Sequence, residues 1–314
     1  MTEKMRPETM RAVRQDVLGG PEVLGVVEVE RPEPGPTEVL VRVRAAGVNP
    51  TDWKHRAGGG FLGEPPFTLG WDVSGVVEKV GVGVTLHKPG DEVFGMLRYP
   101  FGAGSHAEYV TAPSRTFVAK PAAIDHVHAG ALPLAALTAW QALVDTADVR
   151  EGTRVLIHAA AGGVGHLAVQ IAKARGAHVI GTAGAGKHDF LRGIGVDEAI
   201  DYRSVDFADV VKDVDVVLDT IGGDYGPRSL RVLRPGGTLV SLVLSRLADF
   251  DPAAVRAETL LVEPDHHALA QIAALAEAGR LRAEIDSVFP LEEAAKAHER
   301  GETGHVTGKI VLTP

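Results

Sequence analysis

The chain has 314 residues, 45% hydrophobic and 23% charged, an ordinary globular balance long enough for about two domains. A net charge of −9 favours solubility and gives no general electrostatic footprint for nucleic acid or an anionic membrane. Cysteine is absent, which excludes disulfides, thiol nucleophiles and thiolate metal sites.

Residues 1–10 mix Glu, Lys, Arg and Pro with no apolar stretch, so residues 1–8 read as a polar tail and not as a secretory signal. No apolar run reaches transmembrane length, and the expected location is cytoplasmic. The first third predicts short strands broken by turns. Residues 39–43 alternate at period two, with Val39, Val41 and Val43 on one face and Leu40 and Arg42 on the other. Residues 73–80 and 107–111 are further strand candidates, and Pro34-Gly35-Pro36 and Pro89-Gly90-Asp91 are turn signals.

After Pro121 the character changes. Asp125 is placed to cap a helix running through residues 129–143. Strands at 154–158, 178–182, 198–200, 214–219 and 238–243 then alternate with helices at 164–175, 187–194 and 226–233. Arg234-Pro235-Gly236-Gly237 reads as the stop of the last helix. This alternation predicts a parallel sheet with helices on both faces. Residues 264–279 predict a helix and 308–312 a terminal strand, a segment expected to return to the first domain.

The sharpest local signal is Val155-Leu156-Ile157-His158-Ala159-Ala160-Ala161-Gly162-Gly163-Val164-Gly165, between a β-branched strand and an amphipathic helix. A dinucleotide pyrophosphate needs small residues there, so that backbone amides and the helix N-terminus approach its oxygens. Position 160 is Ala, so the match is Ala160-x-Gly162-x-x-Gly165 and not a strict GxGxxG. An NAD site places an acid about 20 residues further on to bind the ribose 2′-hydroxyl. Here the next strand ends His178-Val179-Ile180-Gly181-Thr182-Ala183-Gly184 without one, and Lys187 follows. Alone, Lys187 is either a solvated lysine at a helix start or a cation for a 2′-phosphate. Together with the missing acid it favours NADPH.

These residues belong to a wider pattern. Gly47-Val48-Asn49-Pro50-Thr51-Asp52, Gly70-Trp71-Asp72-Val73-Ser74-Gly75-Val76-Val77, Gly90-Asp91-Glu92-Val93-Phe94-Gly95 and Leu137-Thr138-Ala139 come in that order. The 160–165 turn, Val217-Leu218-Asp219-Thr220-Ile221-Gly222 and Gly308-Lys309-Ile310-Val311-Leu312 follow. In this order the chain resembles the zinc-independent, zeta-crystallin-like quinone oxidoreductase branch of the medium-chain dehydrogenase/reductase family. The resemblance implies an α/β fold with two domains. A GroES-like β-rich substrate domain comes from residues 1–122 with 264–314, and a Rossmann doubly wound parallel sheet from 123–263. It further implies a nicotinamide held in a cleft between them, and a homodimer.

By the same resemblance Asn49 lies beside nicotinamide and acceptor, where its amide could donate to a carbonyl; read alone, it is a turn-forming Asn before Pro50. Thr138 is carried over to the nicotinamide side. Ala160, Gly162, Gly163 and Val164 hold the pyrophosphate, while Gly184, Lys187 and Tyr202 lie at the adenosine-phosphate end. Thr182, Thr220, Val243, Gly308 and Lys309 are also assigned to the cofactor. Lys54, His106 and Tyr109 are proton-donor candidates, with bland alternatives as solvated charge, loop residue and strand core. Asn49, Thr138, Lys54 and Tyr109 form the expected catalytic set. Trp71 either walls the cleft or belongs to the core. Two departures are Ala185, where relatives often place a small hydroxyl, and Leu244-Ser245-Arg246 in place of a glycine-rich loop beside the nicotinamide.

Zinc-dependent relatives carry Cys at the position of Asn49 and His-Glu at Trp71-Asp72. A catalytic zinc needs three protein ligands plus an open position, so no metal is expected. The pairs His126/His128 and His266/His267 read as exposed or capping residues. Without zinc, nothing strong polarises an alcohol, whereas hydride addition to an electrophilic carbon needs positioning and modest stabilisation of the developing oxyanion. The expected reaction is hydride transfer from NADPH to a quinone, enone or enal, with no nucleic-acid or membrane partner. Two alternatives are an enoyl-thioester or biosynthetic tailoring reductase of the same fold, and a non-catalytic NADPH-binding protein of crystallin-like or RNA-binding type.

Overall fold

A computed structural model describes residues 8–243 and 255–314. The Leu244-Ser245-Arg246 departure and most of the polar tail lie outside the described residues. The chain divides into two compact units. One runs to Leu134 and regains Glu263–Gly279 and Ala283–Pro314; the other takes Ala135–Val262 and Arg280–Arg282. No helix among the described residues is long and apolar enough to cross a membrane.

The first unit is built on strands. A seven-stranded sheet has at its centre Glu38–Val48, which pairs antiparallel with Asp72–Val80, Tyr109–Pro113 and Lys309–Thr313. Both faces of this strand are covered, so Val39, Leu40 and Val41 are all buried and the alternation in the sequence does not mark a wet face. A smaller antiparallel set, Gly25–Glu30, Thr9–Gln15 and Phe67–Thr68, lies in the same unit.

The division falls at Leu134/Ala135, not at 122/123 as the sequence suggested. The reason is the short helix His126–Gly130, which packs on Glu38–Val48 and Asp72–Val80. It lies so close that a Cβ on Gly130 would stand 2.8 Å from the Ala45 carbonyl oxygen. Asp125 caps this helix through the His128 N–H at 2.9 Å. The single helix expected over 129–143 is instead interrupted: Pro133–Trp140 follows separately, then a wide π-type turn at Gln141–Thr146. Pro133 has no N–H to continue the earlier helix.

The second unit is a six-stranded parallel sheet. Numbered along the chain, Arg154–Ile157, His178–Ala183, Glu198–Asp201, Val214–Asp219, Leu233–Ser241 and Arg256–Thr259 lie in the spatial order 3-2-1-4-5-6. This is the doubly wound dinucleotide-binding order, whose ligand site lies at the carboxyl ends of the strands where the order reverses. That point is between Arg154–Ile157 and Val214–Asp219. The fifth strand runs through Arg234-Pro235-Gly236-Gly237, which the sequence had read as a stop. The register slips there, Val214 facing Leu233 and Val216 facing Thr238, so the Pro-Gly-Gly residues form a bulge inside the strand.

Candidate functional site

In the second unit the chain leaves Arg154–Ile157 and turns through Ala159, whose φ of 47° is left-handed, before entering the helix Gly165–Ala174. Ala160 donates its N–H to Thr182 O at 2.9 Å, and Gly162 donates to Ala159 O at 2.8 Å. These two amides fix the turn. The helix has no side-chain cap, and its first-turn N–H groups have no partner within the helix. Gly163, Val164 and Gly165 stand at this end of the helix, where backbone N–H groups suit an anion. A Cβ on Gly165 would run into the Ala159 carbonyl oxygen and stand 2.8 Å from Ala160 Cα, so only glycine lets the helix start this close to the strand.

Thr182 is buried and its hydroxyl accepts from Ala159 N–H at 3.2 Å, which places it beneath the turn as a support. Thr220 acts similarly, its hydroxyl donating to His158 O at 2.9 Å. Val243 packs where a Cβ on Gly222 would come within 2.7 Å of it. Thr138 is buried on Pro133–Trp140.

At the ends of the second and third strands, Gly184, Lys187 and Tyr202 are joined by a residue the sequence reading missed. Arg203 lies beside Gly184, its guanidinium carbon 3.6 Å from where a Cβ would be, and over the Tyr202 ring at 5.6 Å. Lys187 bonds back to Gly184 O through its N–H at 2.9 Å. The acid at this edge, Asp201, is engaged: its carboxylate accepts from Arg203 N–H at 3.1 Å, and this bond, with a further one from the Ala185 backbone, holds its pKa below the usual range. A following-residue signal existed in Tyr202-Arg203, but only the fold shows that Arg203 lies against Gly184.

In the first unit, Asn49 precedes the helix Pro50–Gly58 in extended conformation, with Pro50 opening the helix and Asp52 reaching back to the Asn49 N–H at 2.6 Å. Its own side chain turns elsewhere. The Asn49 Nδ2 donates to Asp72 Oδ2 at 2.8 Å, and Asn49 Oδ1 accepts from Lys309 Nζ. Lys309 Nζ also lies 3.3 Å from Val48 O and 3.6 Å from Asp72 Oδ2. Asp72 Oδ1 takes Leu134 N–H at 2.6 Å, and Asp52 Oδ1 takes Gly70 N–H at 3.1 Å. Asp52 and Asp72 are 0% exposed, Asn49 2% and Lys309 3%.

Burial pushes Asp52 up to about 7, against its two backbone donors. It also raises Asp72 and lowers Lys309, each opposed by the charge of the other. Asp72 meets only donors here, an amide, a backbone N–H and an ammonium, so we read the Asp72–Lys309 pair as ionised. Lys309 and Gly308 thus belong to this buried network and to the turn before it, where a Cβ on Gly308 would clash with Glu284 O. Lys309, carried over as a cofactor contact, is held inside by Asn49 and Asp72.

Of the proton-donor candidates, Lys54 is exposed on Pro50–Gly58. Tyr109 has its ring covered by the Arg31 guanidinium at 5.0 Å. His106 is fully buried and its pKa is lowered to about 4 by desolvation, so it is a neutral core residue. Trp71 is core as well, with Tyr99 and His55 against it at ring distances of 5.3 and 5.1 Å. The sequence reading passed over Thr51, whose hydroxyl, two residues after Asn49, lies 3.3 Å from Tyr99 OH and 3.1 Å from His55 Nδ1.

Comparison with known proteins agrees with this geometry. Residues 35–122 match the family model of the alcohol dehydrogenase GroES-like domain, and residues 194–312 match that of zinc-binding dehydrogenase. A 2-haloacrylate reductase of Burkholderia sp is 37% identical over 322 residues, covering 94% of this chain and 96% of the relative. The structure of the quinone oxidoreductase from Coxiella burnetii superposes with a TM-score of 0.92 at 39% identity, covering 98% of this chain and 100% of that one. The Escherichia coli quinone oxidoreductase complexed with NADPH superposes with a TM-score of 0.87 at 30% identity, over 98% of this chain and 100% of that one. A parallel sheet with a glycine turn at its switch point, carried with a GroES-like unit, defines a nicotinamide-dependent oxidoreductase. The chain belongs to the medium-chain dehydrogenase/reductase family, with quinone oxidoreductases among its relatives.

The family model's description raises the question of zinc. The residues at the Asn49 centre do not fit that ion. Asn49 offers a neutral amide already bonded at both ends, and the Asp72 carboxylate is shared with an ammonium that would repel a second cation. Among the described residues no three His, Cys, Asp or Glu side chains converge as ligands.

Proposed function

We propose that the protein is an NADPH-dependent, metal-free reductase of quinones or α,β-unsaturated carbonyl compounds. The observation that carries this reading is the Asn49–Asp72–Lys309 network, in which an internal ammonium stands among the residues at the positions where zinc relatives have ligands. NADPH supplies the hydride when bound. Gly163, Val164 and Gly165 would hold its pyrophosphate through their N–H groups. Lys187, Tyr202 and Arg203 would hold the 2′-phosphate, for which two cations and no free carboxylate are the appropriate chemistry. The Asn49 Nδ2 donates to the acceptor oxygen as negative charge develops on it, and the Thr51 and Tyr99 hydroxyls are the nearby groups with an exchangeable proton.

The test is steady-state oxidation of NADPH and NADH against 1,4-benzoquinone, 9,10-phenanthrenequinone, methyl vinyl ketone, 2-hexenal and crotonyl thioester. Turnover with NADPH preferred and no loss on treatment with chelator is expected. Preference for NADH removes the cofactor assignment, and preference for the thioester replaces the acceptor class. Binding of NADPH with no turnover of any acceptor turns the reading toward a binding protein.

A further inference from the structure

Lys309 is a buried ammonium, 3% exposed, bonded to a side chain at the head of the helix Pro50–Gly58. Asn49 is the only asparagine in the chain, and its carboxamide is held at both ends by groups that cannot be exchanged. An ammonium only donates, so it fixes Oδ1; an ionised carboxylate only accepts, so it fixes Nδ2. The amide cannot flip without setting an N–H against Lys309 and an oxygen against Asp72. One Nδ2 hydrogen goes to Asp72 Oδ2 at 2.8 Å, and the amide nitrogen carries a second.

The placement follows from register. Ile310 faces Val48 and Val311 faces Gly47, so continuing the antiparallel pairing sets Lys309 opposite Asn49. Asp72 begins the strand on the other side of Glu38–Val48. It reaches across Gly47, where a Cβ would stand 2.5 Å from Asp72 Oδ2 and 2.7 Å from Gly130 O. Three strands therefore converge on one carboxamide, and the missing side chain at Gly47 is what lets the carboxylate through. A buried ion pair contributes little net stability compared with apolar residues of the same volume, so stability alone gives a weak reason for this arrangement.

We infer that Lys309 is a positioning residue for hydride transfer: with Asp72 it locks the Asn49 carboxamide so that its second Nδ2 hydrogen is preorganised toward the acceptor oxygen. The inference rests on the reductase reading for the acceptor, and on geometry alone for the lock. An amide free to turn would present oxygen to an oxyanion for part of the time and would need to reorganise during the reaction.

The experiment uses full-length protein labelled with 15N-asparagine, in which a single side-chain amide signal arises. Lys309→Met removes the donor. Asp72→Ser with Lys309→Met removes both charges together and serves where the single variant fails to fold. In the wild type the two amide protons of Asn49 should be well separated in shift and slow to exchange with solvent. In either variant they should converge and exchange at least about ten times faster, the loss of a protecting hydrogen bond being of that order. In kinetics, the variants should lower kcat on the order of 10–100-fold while the NADPH Kd stays within about two-fold. Added to Asn49→Ala they should lower it no further, since Lys309 would act only through that amide. An Asn49 signal unchanged by loss of Lys309 overturns the inference, as does a kcat effect that persists in the Asn49→Ala background. If the wild type turns over no acceptor, the reductase reading falls, while the amide signal still decides whether Lys309 sets the carboxamide.

Discussion

Lys309 and Asn49 are 260 residues apart in the chain and meet because the last strand pairs antiparallel with the strand that ends at Val48. Each satisfies the other's buried polar atom, Lys309 donating and Asn49 Oδ1 accepting. The ammonium needs an acceptor in a dry site, and the amide needs a donor that fixes its orientation.

The first prediction concerns that amide. Asn49→Ala leaves Lys309 and Asp72 to face each other directly while removing the donor to the acceptor. We expect kcat to fall about 100-fold, the usual cost of losing one oxyanion donor. We expect stability to fall by about 1–3 kcal/mol from the unmade buried hydrogen bonds. Steady-state kinetics beside urea denaturation measures both. A loss of stability with no loss of kcat would leave Asn49 a structural residue.

A second prediction separates the two cofactors. Arg203→Ala and Lys187→Ala should each raise the KM for NADPH about ten-fold, with little change for NADH, because an exposed charge-assisted contact to phosphate is worth roughly 1.5 kcal/mol. Tyr202→Ala removes the surface on which the guanidinium rests, at 5.6 Å, and should act through Arg203, so the two changes should not add. Equal effects on NADPH and NADH would show that these residues serve the adenosine and not its phosphate.

Much of the second unit was legible because its signals are local. A β-branched run, a small-residue turn and an amphipathic helix are read within about twenty residues, and the strand–helix alternation followed from periodicity. What escaped depended on partners distant in sequence. The strand Leu233–Ser241 passes through Pro235-Gly236-Gly237 because a register slip against Val214–Asp219 accommodates a bulge, which no reading of those residues alone reveals. Arg203 looks like any solvated arginine until the third strand is laid beside the second and brings it to Gly184. The Asn49 centre was half legible: its motif was plain, but Asp72 comes from a strand 23 residues away and Lys309 from the last strand of the chain.

The third prediction is made on glycine. At Gly165 a Cβ would meet the Ala159 carbonyl oxygen and stand 2.8 Å from Ala160 Cα, both backbone and unable to rotate away. Gly165→Ala should push the helix from the strand, lower stability by about 1–3 kcal/mol and weaken NADPH binding at least about ten-fold. Gly193→Ala, outside this turn, is the control, since a Cβ there would meet nothing within 4 Å. Fluorescence titration with NADPH checks the order; equal affinities for both variants would remove the pyrophosphate site from this turn.

The last prediction is a pH dependence of stability, and its sign follows from three buried histidines. Desolvation lowers His106 and His158 to about 4 and His298 to about 2, the last also facing His106 and the Arg56 guanidinium that donates to its Nδ1 at 3.2 Å. A histidine whose folded pKa is depressed contributes stability that is complete above the unfolded value of about 6.5 and is lost as pH falls below it. Each such residue costs up to about 1.4 kcal/mol per pH unit in that window. Asp52 has the opposite sign: raised to about 7, it favours the folded state more as pH falls from 7 toward 4. The three imidazoles outnumber the two raised carboxyls, Asp52 and Asp72, so the urea midpoint should drop from pH 7 to pH 5. His298→Gln keeps an acceptor for Arg56 and removes one titrating ring, and should flatten this slope by about half or more. Asp52→Asn should steepen it. A midpoint that rises on acidification from pH 7 to pH 5 would mean that the buried carboxyls, and not the imidazoles, govern the response.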